Sequence, residues 1–175
     1  MRTTPLIQCH KFRVERWAFD ANGRHLEHDI VVHPGAAVIL PVLPDGRIVM
    51  IYNYRVATGG ELLELPAGTL DPGEDPRTCA ARELAEETGY QAGRVTPLLS
   101  FYSSPGIVSE RLHAFLATDL TPGDTAHEGT EQIRVAPMTL ADALAAIRDG
   151  GICDAKTIAA LLYYERFVRT EGGAR

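Results

Sequence analysis

Residues 68–90, GTLDPGEDPRTCAARELAEETGY, have the pattern of a turn-rich loop followed by a helix, and the rest of the chain is organised around them. Asp75 suits the N-cap of that helix, and Pro76 suits its first position, where no backbone N–H is needed. Gly89 suits the left-handed residue that follows a helix C-terminus. The sequence therefore predicts one helix between these two ends.

Three carboxylates lie on one face of the predicted helix. With about 3.6 residues per turn, Glu83 and Glu87 share a stripe and Glu86 lies beside it. Clustered negative charges repel one another, and a divalent cation would reverse that repulsion because Mg²⁺ prefers carboxylate oxygens. A solvated acidic helix face is the alternative interpretation. The opposite face is expected to be buried and comprises Ala80, Ala81, Leu84, Ala85 and Thr88.

The spacing of this segment is more specific than its acidity. It fits the pattern Gly-x5-Glu-x7-Arg-Glu-apolar-x-Glu-Glu-x-Gly-apolar through Gly68, Glu74, Arg82, Glu83, Leu84, Glu86, Glu87, Gly89 and Tyr90. The pattern resembles the signature of the Nudix hydrolases, with a tyrosine where an aliphatic residue is usual. The resemblance implies an α/β/α sandwich with a mixed sheet and a metal-dependent hydrolase of nucleoside diphosphates linked to another group. Residues 68–90 are called the box below.

The resemblance also implies a set of metal ligands. The carbonyl of Ala67, Glu83 and Glu87 are the implied ligands of Mg²⁺, with Mn²⁺ as the alternative ion. Glu86 is implied to be a further ligand or a catalytic group beside the metal. Gly68 is expected to let the backbone turn sharply, so that the carbonyl before it faces the ion.

Two arginines near the box have different expected roles. Arg82 is expected to brace the loop through an ion pair with Glu74. Arg55 ends a predicted strand, and the ADP-ribose branch of the family has a similar Q-x-R motif whose arginine faces the substrate diphosphate. Asn53 stands where that motif has glutamine, so the resemblance assigns a role in binding the diphosphate to Arg55 alone. Its planar fork suits phosphate oxygens, and an exposed arginine at a strand end is the alternative interpretation.

The length, composition and net charge of the chain limit the classes of protein to which it can belong. A chain of 175 residues with 45% hydrophobic content fits one globular domain with a small appendage. The net charge of −6 and the lack of a basic run argue against a nucleic-acid partner. They do not exclude a nucleotide substrate, because a bound metal supplies local positive charge.

The sequence predicts a cytoplasmic protein without a membrane partner. Cys9, Cys79 and Cys153 lie far apart without metal-binding spacing, and we expect free thiols in a reducing compartment. The N-terminus lacks the apolar core of a signal peptide. The longest apolar run, residues 36–43, is too short to span a bilayer.

An N-terminal β-hairpin unit over residues 1–33 is expected to precede a Nudix domain over residues 34–175. Its first ten residues are predicted to be a tail, and its two strands are predicted at 11–19 and 25–33, with a turn at 20–23 and a bulge near Arg16. ADP-ribose-hydrolysing Nudix proteins carry such a unit and often dimerise through it. The resemblance therefore implies a homodimer.

Aromatic residues are candidates for stacking on the adenine of the substrate. Trp17, Phe19 and Tyr52 are the candidates, and Trp17 is assigned to substrate binding. A place in the core or in the dimer interface is the alternative interpretation for Trp17.

A second motif follows the box. Strands are predicted over residues 36–42, 48–54, 61–65, 94–103 and 111–118. Between the last two, Pro105 lies sixteen residues after Gly89, and a proline at that distance marks the ADP-ribose pyrophosphatase branch. The resemblance makes Ser104, Pro105, Gly106 and Glu110 candidates for substrate binding, and Glu110 could instead contact metal or position water. A plain turn and an exposed glutamate are the alternatives.

The general base is expected on a polar segment at residues 119–132, which reads as a functional loop. In relatives the corresponding loop supplies a glutamate that activates water. Glu128 and Glu131 are the candidates, and Glu128 is favoured. His127 is a rival base because its ordinary pKa lies near neutrality.

Two helices are predicted to close the chain. Thr139 caps residues 140–149 and Asp154 caps residues 155–169. The residues expected to face inward on the second helix are Ile158, Leu161, Leu162 and Phe167.

These features predict hydrolysis of ADP-ribose to AMP and ribose 5-phosphate. The first alternative is the same chemistry on another nucleotide sugar or dinucleotide, such as GDP-mannose, FAD or NADH. The second is a non-catalytic Nudix domain that senses ADP-ribose. The intact Glu83, Glu86 and Glu87 argue against the sensor, as does the absence of a basic helix-turn-helix pattern after residue 139.

Overall fold

The computed structural model describes residues 1–126 and 132–169. The strands of this part of the chain are β1 (Arg2–Gln8), β2 (Arg13–Ala21), β3 (Arg24–Val32), β4 (Ala36–Pro41), β5 (Ile48–Arg55), β6 (Gly60–Glu64), β7 (Ala67–Thr69), β8 (Tyr90–Tyr102), β9 (Arg111–Pro122) and β10 (Ile133–Met138). The helices are α1 (Pro76–Thr88), α2 (Leu140–Arg148) and α3 (Ala155–Tyr163), and a π-helical turn, Tyr164–Val168, follows α3.

The described strands form three sheets. The first has the order β1-β2-β3 and is antiparallel throughout. The second, β10-β5-β6, is also antiparallel. The third, β7-β4-β9-β8, is mixed because β4 and β9 run parallel. A parallel pair needs a long crossover, and here the crossover contains β5, β6 and the box.

Strand β4 lies at the centre of the fold, and all six of its residues are buried. Successive side chains of a strand point to opposite faces. Val38 and Leu40 belong to the core cluster that contains Leu161 of α3, whereas Ile39 belongs to the cluster that contains Leu84 of α1. Helices thus cover both faces of the sheet, and the predicted α/β/α sandwich with a mixed sheet is confirmed.

The N-terminal antiparallel unit has one strand more than the predicted hairpin. Residues 1–10 were expected to be a tail, but β1 pairs with β2 along most of its length, so that prediction is wrong. Pro5 obscured the strand in the sequence, and it is tolerated because β1 is an edge strand.

The turn of the N-terminal unit was predicted correctly, and its bulge was not. Ala21 pairs with Arg24, and the two turn residues Asn22 and Gly23 have φ values of 53° and 71°, as in the type I′ turn that this dipeptide favours. The expected bulge at Arg16 is wrong, because β2 and β3 pair without a register shift. The irregularity lies instead in β1, between residues 5 and 7.

The end of β3 is tied to the loop between β8 and β9. The Val31 N–H donates to the Ile107 carbonyl, and the Ser109 N–H donates to the Val31 carbonyl, both at 2.9 Å. The His33 N–H donates to the Ser109 hydroxyl at 3.0 Å. The N-terminal unit therefore holds one side of the loop that carries the Ser-Pro-Gly motif.

Other parts of the structure also differ from the sequence analysis. Strands β7 and β10 were not predicted, because β7 has only three residues and Pro137 interrupts the pattern of β10. Leu162 and Phe167 were expected to face inward, but they are 48% and 54% exposed. The π-helical turn after α3 rotates the last residues away from a regular helical pattern.

No helix in residues 1–126 and 132–169 is long and apolar enough to cross a membrane. The three cysteines carry free thiols, as predicted, with Cys79 buried and Cys153 exposed.

Candidate metal and substrate site

Helix α1 begins and ends where the sequence predicted. The Asp75 side chain accepts hydrogen bonds from the N–H groups of Arg77 and Thr78. Gly89 has a φ of 74° and donates its N–H to the Ala85 carbonyl. The buried residues of the helix are Cys79, Ala80, Leu84, Glu87 and Thr88. Ala81, expected to be buried, is exposed.

The carboxylate of Glu87 is buried beside β7, the strand at the start of the box. Glu87 is only 3% exposed, and its Oε2 accepts a hydrogen bond from the Ala67 N–H at 2.9 Å. Because a buried carboxylate is costly without partners, this backbone contact helps to fix its position. The contact places Glu87 beside the peptide group that was expected to supply a metal ligand.

Glu83 lies directly against the backbone of Gly68. A Cβ added at residue 68 would stand 1.7 Å from Glu83 Oε1 and 1.8 Å from its carboxyl carbon. Gly68 is not among the residues with positive φ. An alanine at this position would force the Glu83 side chain to move, and because residues 67–69 form the extended strand β7, the expectation of a sharp backbone turn there is wrong.

Arg82 braces the loop, as predicted. Its Nε donates to Glu74 Oε1 and its Nη2 to Glu74 Oε2, both at 3.1 Å. This contact lowers the pKa of Glu74 to about 2 and raises the pKa of Arg82. Its Nη1 also donates to Glu83 Oε1 at 2.7 Å and to Glu86 Oε2 at 3.0 Å.

The donor chemistry of the box fits a divalent cation, because its three carboxylates are hard oxygen ligands. In the described ranges, however, no three His, Cys, Asp or Glu side chains are grouped closely enough to hold an ion. Glu83 and Glu86 both contact Arg82 Nη1 instead. Each of these carboxylates makes its contact with the arginine through one of its two oxygens.

Two adjoining cavities open beside these residues. The box cavity, about 550 Å³, is lined by residues that include Glu83, Glu86 and Glu87. The lysine cavity, about 610 Å³, is lined by residues that include Glu64 and Lys156. The residues shared by both cavities are Arg55, Ala67, Gly68 and Thr69. The predicted diphosphate-binding arginine thus lies at their common wall.

A buried carboxylate that the sequence analysis missed organises the lysine cavity. Glu64 is 1% exposed and accepts hydrogen bonds from Arg55 Nη2 at 2.5 Å and Lys156 Nζ at 3.0 Å. Asn53 Nδ2 donates to the same carboxylate at 3.3 Å. Asn53 therefore hydrogen-bonds to Glu64, and it occupies the position where the related motif has glutamine.

Charged partners shift the pKa values of Arg55 and Asp154 in this network. Burial disfavours the charged form of Arg55, but attraction and hydrogen bonding to Glu64 outweigh it and raise the pKa of Arg55. Burial likewise opposes ionisation of Asp154, and the charge of Lys156 with hydrogen bonds from Thr157 and Lys156 lowers its pKa nonetheless. Lys156 Nζ lies 3.0 Å from Asp154 Oδ2, the oxygen that also caps α3.

The Ser-Pro-Gly motif forms the turn between β8 and β9. The Ser104 carbonyl accepts hydrogen bonds from the N–H groups of Ile107 and Val108. Ser104, Pro105 and Gly106 do not line the lysine cavity, whereas Glu110 at the end of the turn does. Glu110 Oε1 also lies 3.4 Å from His33 Nδ1.

The candidates for the general base, Glu128, Glu131 and His127, lie outside the described residues. The residues on either side of them are fixed near the box. The Ala126 N–H donates to the Glu86 carbonyl at 2.9 Å, and the Tyr54 N–H donates to the Gln132 carbonyl at 3.3 Å. The chain thus leaves from the end of α1 and returns beside Arg55.

None of the three aromatic candidates lines the box cavity or the lysine cavity in the single chain. Trp17 lies on β2 and donates its Nε1–H to Glu15 at 2.9 Å. Phe19 packs on His28 with ring centroids 5.4 Å apart. Tyr52 lies under Arg134, whose guanidinium carbon is 4.1 Å from the ring centroid. A stacking role for Trp17 stays a prediction.

The fold and the acidic loop–helix are those of the Nudix hydrolases. A family model described as the NUDIX domain matches residues 32–161, which is more than half of the chain. The chain therefore belongs to the Nudix family, and the resemblance drawn from the box is confirmed. Members of this family generally use divalent metals.

Relatives with different printed activities resemble this chain. The ADP-ribose pyrophosphatase of Bacillus subtilis is 40% identical over 146 residues, which cover 82% of this chain and 79% of that protein. The methanol dehydrogenase activator of Bacillus methanolicus is 38% identical with the same coverage. The GDP-mannose pyrophosphatase of Yersinia enterocolitica is 35% identical over 173 residues, 90% of each chain.

A solved structure shares the fold over nearly the whole length. It is described as an ADP compounds hydrolase and matches with a TM-score of 0.85 at 25% identity. The match covers 98% of this chain and 94% of that one. It therefore extends over the N-terminal unit as well as the Nudix domain.

Proposed function

We propose that this protein is a Nudix pyrophosphatase that hydrolyses ADP-ribose to AMP and ribose 5-phosphate. The observation that carries the proposal is the position of Arg55 between two cavities, one bordered by the box carboxylates and the other by Lys156. A diphosphate at this wall would place its two linked groups in different cavities. The similarity to an ADP-ribose pyrophosphatase supports this substrate.

The metal site is assigned to the Ala67 carbonyl, Glu83, Glu86 and Glu87. A bound Mg²⁺, or Mn²⁺ in its place, supplies charge neutralisation and lowers the pKa of a coordinated water. The backbone contact of Glu87 and the close approach of Glu83 to residue 68 hold these two carboxylates at the box cavity.

The remaining residues bind substrate and move a proton. Arg55 offers its planar fork to phosphate oxygens, and Lys156 offers an ammonium group on the same side of the diphosphate. Glu128 is proposed to accept the proton of the attacking water. Glu131 is the second candidate for that base, and His127 is the third. Substrate contacts are also proposed for Glu110, Ser104, Pro105, Gly106 and Trp17.

Hydrolysis of another nucleotide sugar is the second candidate function. The relative that matches 90% of this chain is a GDP-mannose pyrophosphatase, which favours GDP-mannose as the alternative substrate. Arg55 and the carboxylates of the box would serve either diphosphate equally. The two substrates differ in base and sugar, so only the outer parts of the site can separate them.

We further propose a cytoplasmic homodimer that associates through residues 1–33, with residues 34–175 as the hydrolase domain. Apolar side chains of the N-terminal unit support this surface, because they are exposed in the single chain. These are Leu6 at 43%, Ile7 at 58% and Phe12 at 39%. Burial of such apolar side chains against a partner would be favourable.

A substrate panel tests the proposal. Purified protein is incubated with ADP-ribose, GDP-mannose, FAD or NADH in Mg²⁺, in Mn²⁺ or in a chelator, and the nucleoside monophosphates are quantified. We expect AMP release from ADP-ribose that depends on metal and exceeds turnover of the other compounds. Preferred turnover of GDP-mannose would transfer the substrate assignment, and no turnover of any compound would refute the enzyme.

A further inference from the structure

We infer that Glu64 is a positioning residue for the substrate diphosphate, acting through Arg55 and Lys156. The inference rests on the proposed function, since it assigns a role at the same site. Glu64 itself makes no proposed contact with substrate. Its role is to hold two cations from distant parts of the chain on one wall of the lysine cavity.

Both oxygens of the Glu64 carboxylate accept hydrogen bonds in this network. Oε1 accepts from Arg55 Nη2 at 2.5 Å and from Asn53 Nδ2 at 3.3 Å. Oε2 accepts from Lys156 Nζ at 3.0 Å and from Arg55 Nε at 3.4 Å. A carboxylate that is 1% exposed is costly to bury without such partners. Both cations are therefore held by one rigid anchor.

The two cations keep hydrogen-bond donors for a ligand. Arg55 uses Nε and Nη2 on Glu64, while Nη1 has no acceptor among the described residues. A lysine ammonium has three donors, and the contacts of Lys156 to Glu64 and Asp154 use two of them. The Arg55 side chain is 39% exposed and the Lys156 side chain 13%, and both line the lysine cavity.

Glu64 orders the two cations before any ligand binds. Arg55 and Lys156 repel one another, and without Glu64 the Arg55 side chain would lose both of its acceptors among the described residues, while Lys156 would keep only Asp154. Ordering such a side chain at the moment of binding costs conformational entropy. Glu64 removes that cost in advance, so its loss is expected to weaken diphosphate binding.

Calorimetry with an ADP-ribose analogue whose diphosphate carries a non-hydrolysable methylene bridge tests this role. The wild type and Glu64→Gln are compared in Mg²⁺, with Glu61→Gln on the same strand as the matched control, because Glu61 is 52% exposed. We expect the dissociation constant to rise at least about tenfold for Glu64→Gln, as for a broken buried charge pair, and to be unchanged for the control. An unchanged value for a folded Glu64→Gln protein would overturn the inference.

A double-mutant cycle separates positioning from stability. Lys156→Met is expected to weaken analogue binding strongly in the wild type and only slightly in the Glu64→Gln background, because the lysine there has already lost one of its two acceptors. If the two substitutions raise the dissociation constant by independent factors that simply multiply, the inference is overturned. If Glu64→Gln does not fold, Glu64→Asp keeps the charge but withdraws the carboxylate, and the same weakening and coupling are expected.

The outcomes for this inference and for the proposed function are distinguishable. A wild type that binds the analogue but does not release AMP from ADP-ribose would refute the proposed function, and the variants would still decide the role of Glu64. Normal turnover by the wild type, together with unchanged binding by both Glu64 variants, would refute the inference alone. A wild type that neither binds nor hydrolyses would refute both.

Discussion

The carboxylate of Glu83 occupies the space that a side chain at Gly68 would need, since a Cβ there would stand 1.7 Å from Glu83 Oε1. Gly68→Ala is therefore expected to displace Glu83 from the box cavity. Metal-dependent turnover is expected to fall at least about tenfold, as when the support of a metal ligand is lost. The measurement is the initial rate of AMP release against Mg²⁺ concentration.

Gly60→Ala is the matched control for that substitution, because a Cβ at residue 60 meets nothing within 4 Å. Its rates are expected to equal those of the wild type. Equal rates in Gly68→Ala as well would show that the position of Glu83 has no part in turnover.

The metal assignment predicts the effect of neutralising each proposed ligand. Glu83→Gln and Glu87→Gln keep the size of the side chain but remove the anionic oxygen that a hard cation prefers. Turnover is expected to fall by at least about 100-fold in each, at the upper end of the losses seen for residues that only support metal ligands. Circular dichroism is expected to show an intact fold. A rate like that of the wild type in either variant would refute the metal role of that residue.

The contact between Glu74 and Arg82 predicts a pH-dependent stability. It lowers the pKa of Glu74 from 4.5 to about 2 in the folded protein. Because the folded-state pKa lies below the unfolded-state value, the contact stabilises the fold above about pH 4.5 and this stabilisation is lost as the pH falls towards 2. Glu74→Gln is expected to lower the free energy of unfolding by about 1–3 kcal/mol at pH 7, and the difference from wild type is expected to shrink at pH 3.

Denaturant unfolding in a chelator measures this difference without bound metal. Glu165→Gln provides the control, because Glu165 contacts Arg169 on an exposed helix surface, where such pairs contribute little. A deficit in Glu74→Gln that is as large at pH 3 as at pH 7 would mean that side-chain shape, and not charge, accounts for the stabilisation.

The buried Cys79 thiol is expected to be unreactive in the folded protein. Burial, followed by the nearby carboxylate of Glu74, raises the pKa of this thiol to about 12, so the reactive thiolate is scarce at pH 8. Maleimide labelling with peptide mapping is expected to modify the exposed Cys153 first and Cys79 only after denaturation. Rapid labelling of Cys79 without denaturant would show that the packing beneath the box opens easily.

Local signals were predictable and distant pairings were not. The ends of α1 could be predicted because the cap at Asp75 and the left-handed Gly89 depend on residues within one turn. Glu64 and Lys156 are 92 positions apart, and no spacing in the sequence links them. Gly68 was expected to allow a sharp turn. In the structure, its missing side chain instead leaves room for the carboxylate of Glu83, which lies on α1.

The two glutamates proposed as the base give a last prediction. Glu128→Gln is expected to reduce the turnover number by about 100-fold or more, since general-base catalysis contributes about 10²–10⁴-fold. Glu131→Gln is expected to retain most of the rate and serves as the matched control. The binding of the methylene analogue is expected to be unchanged in both, because a base acts on water and not on the diphosphate. The reverse order of rates would assign the base to Glu131, and nearly normal rates in both would favour His127.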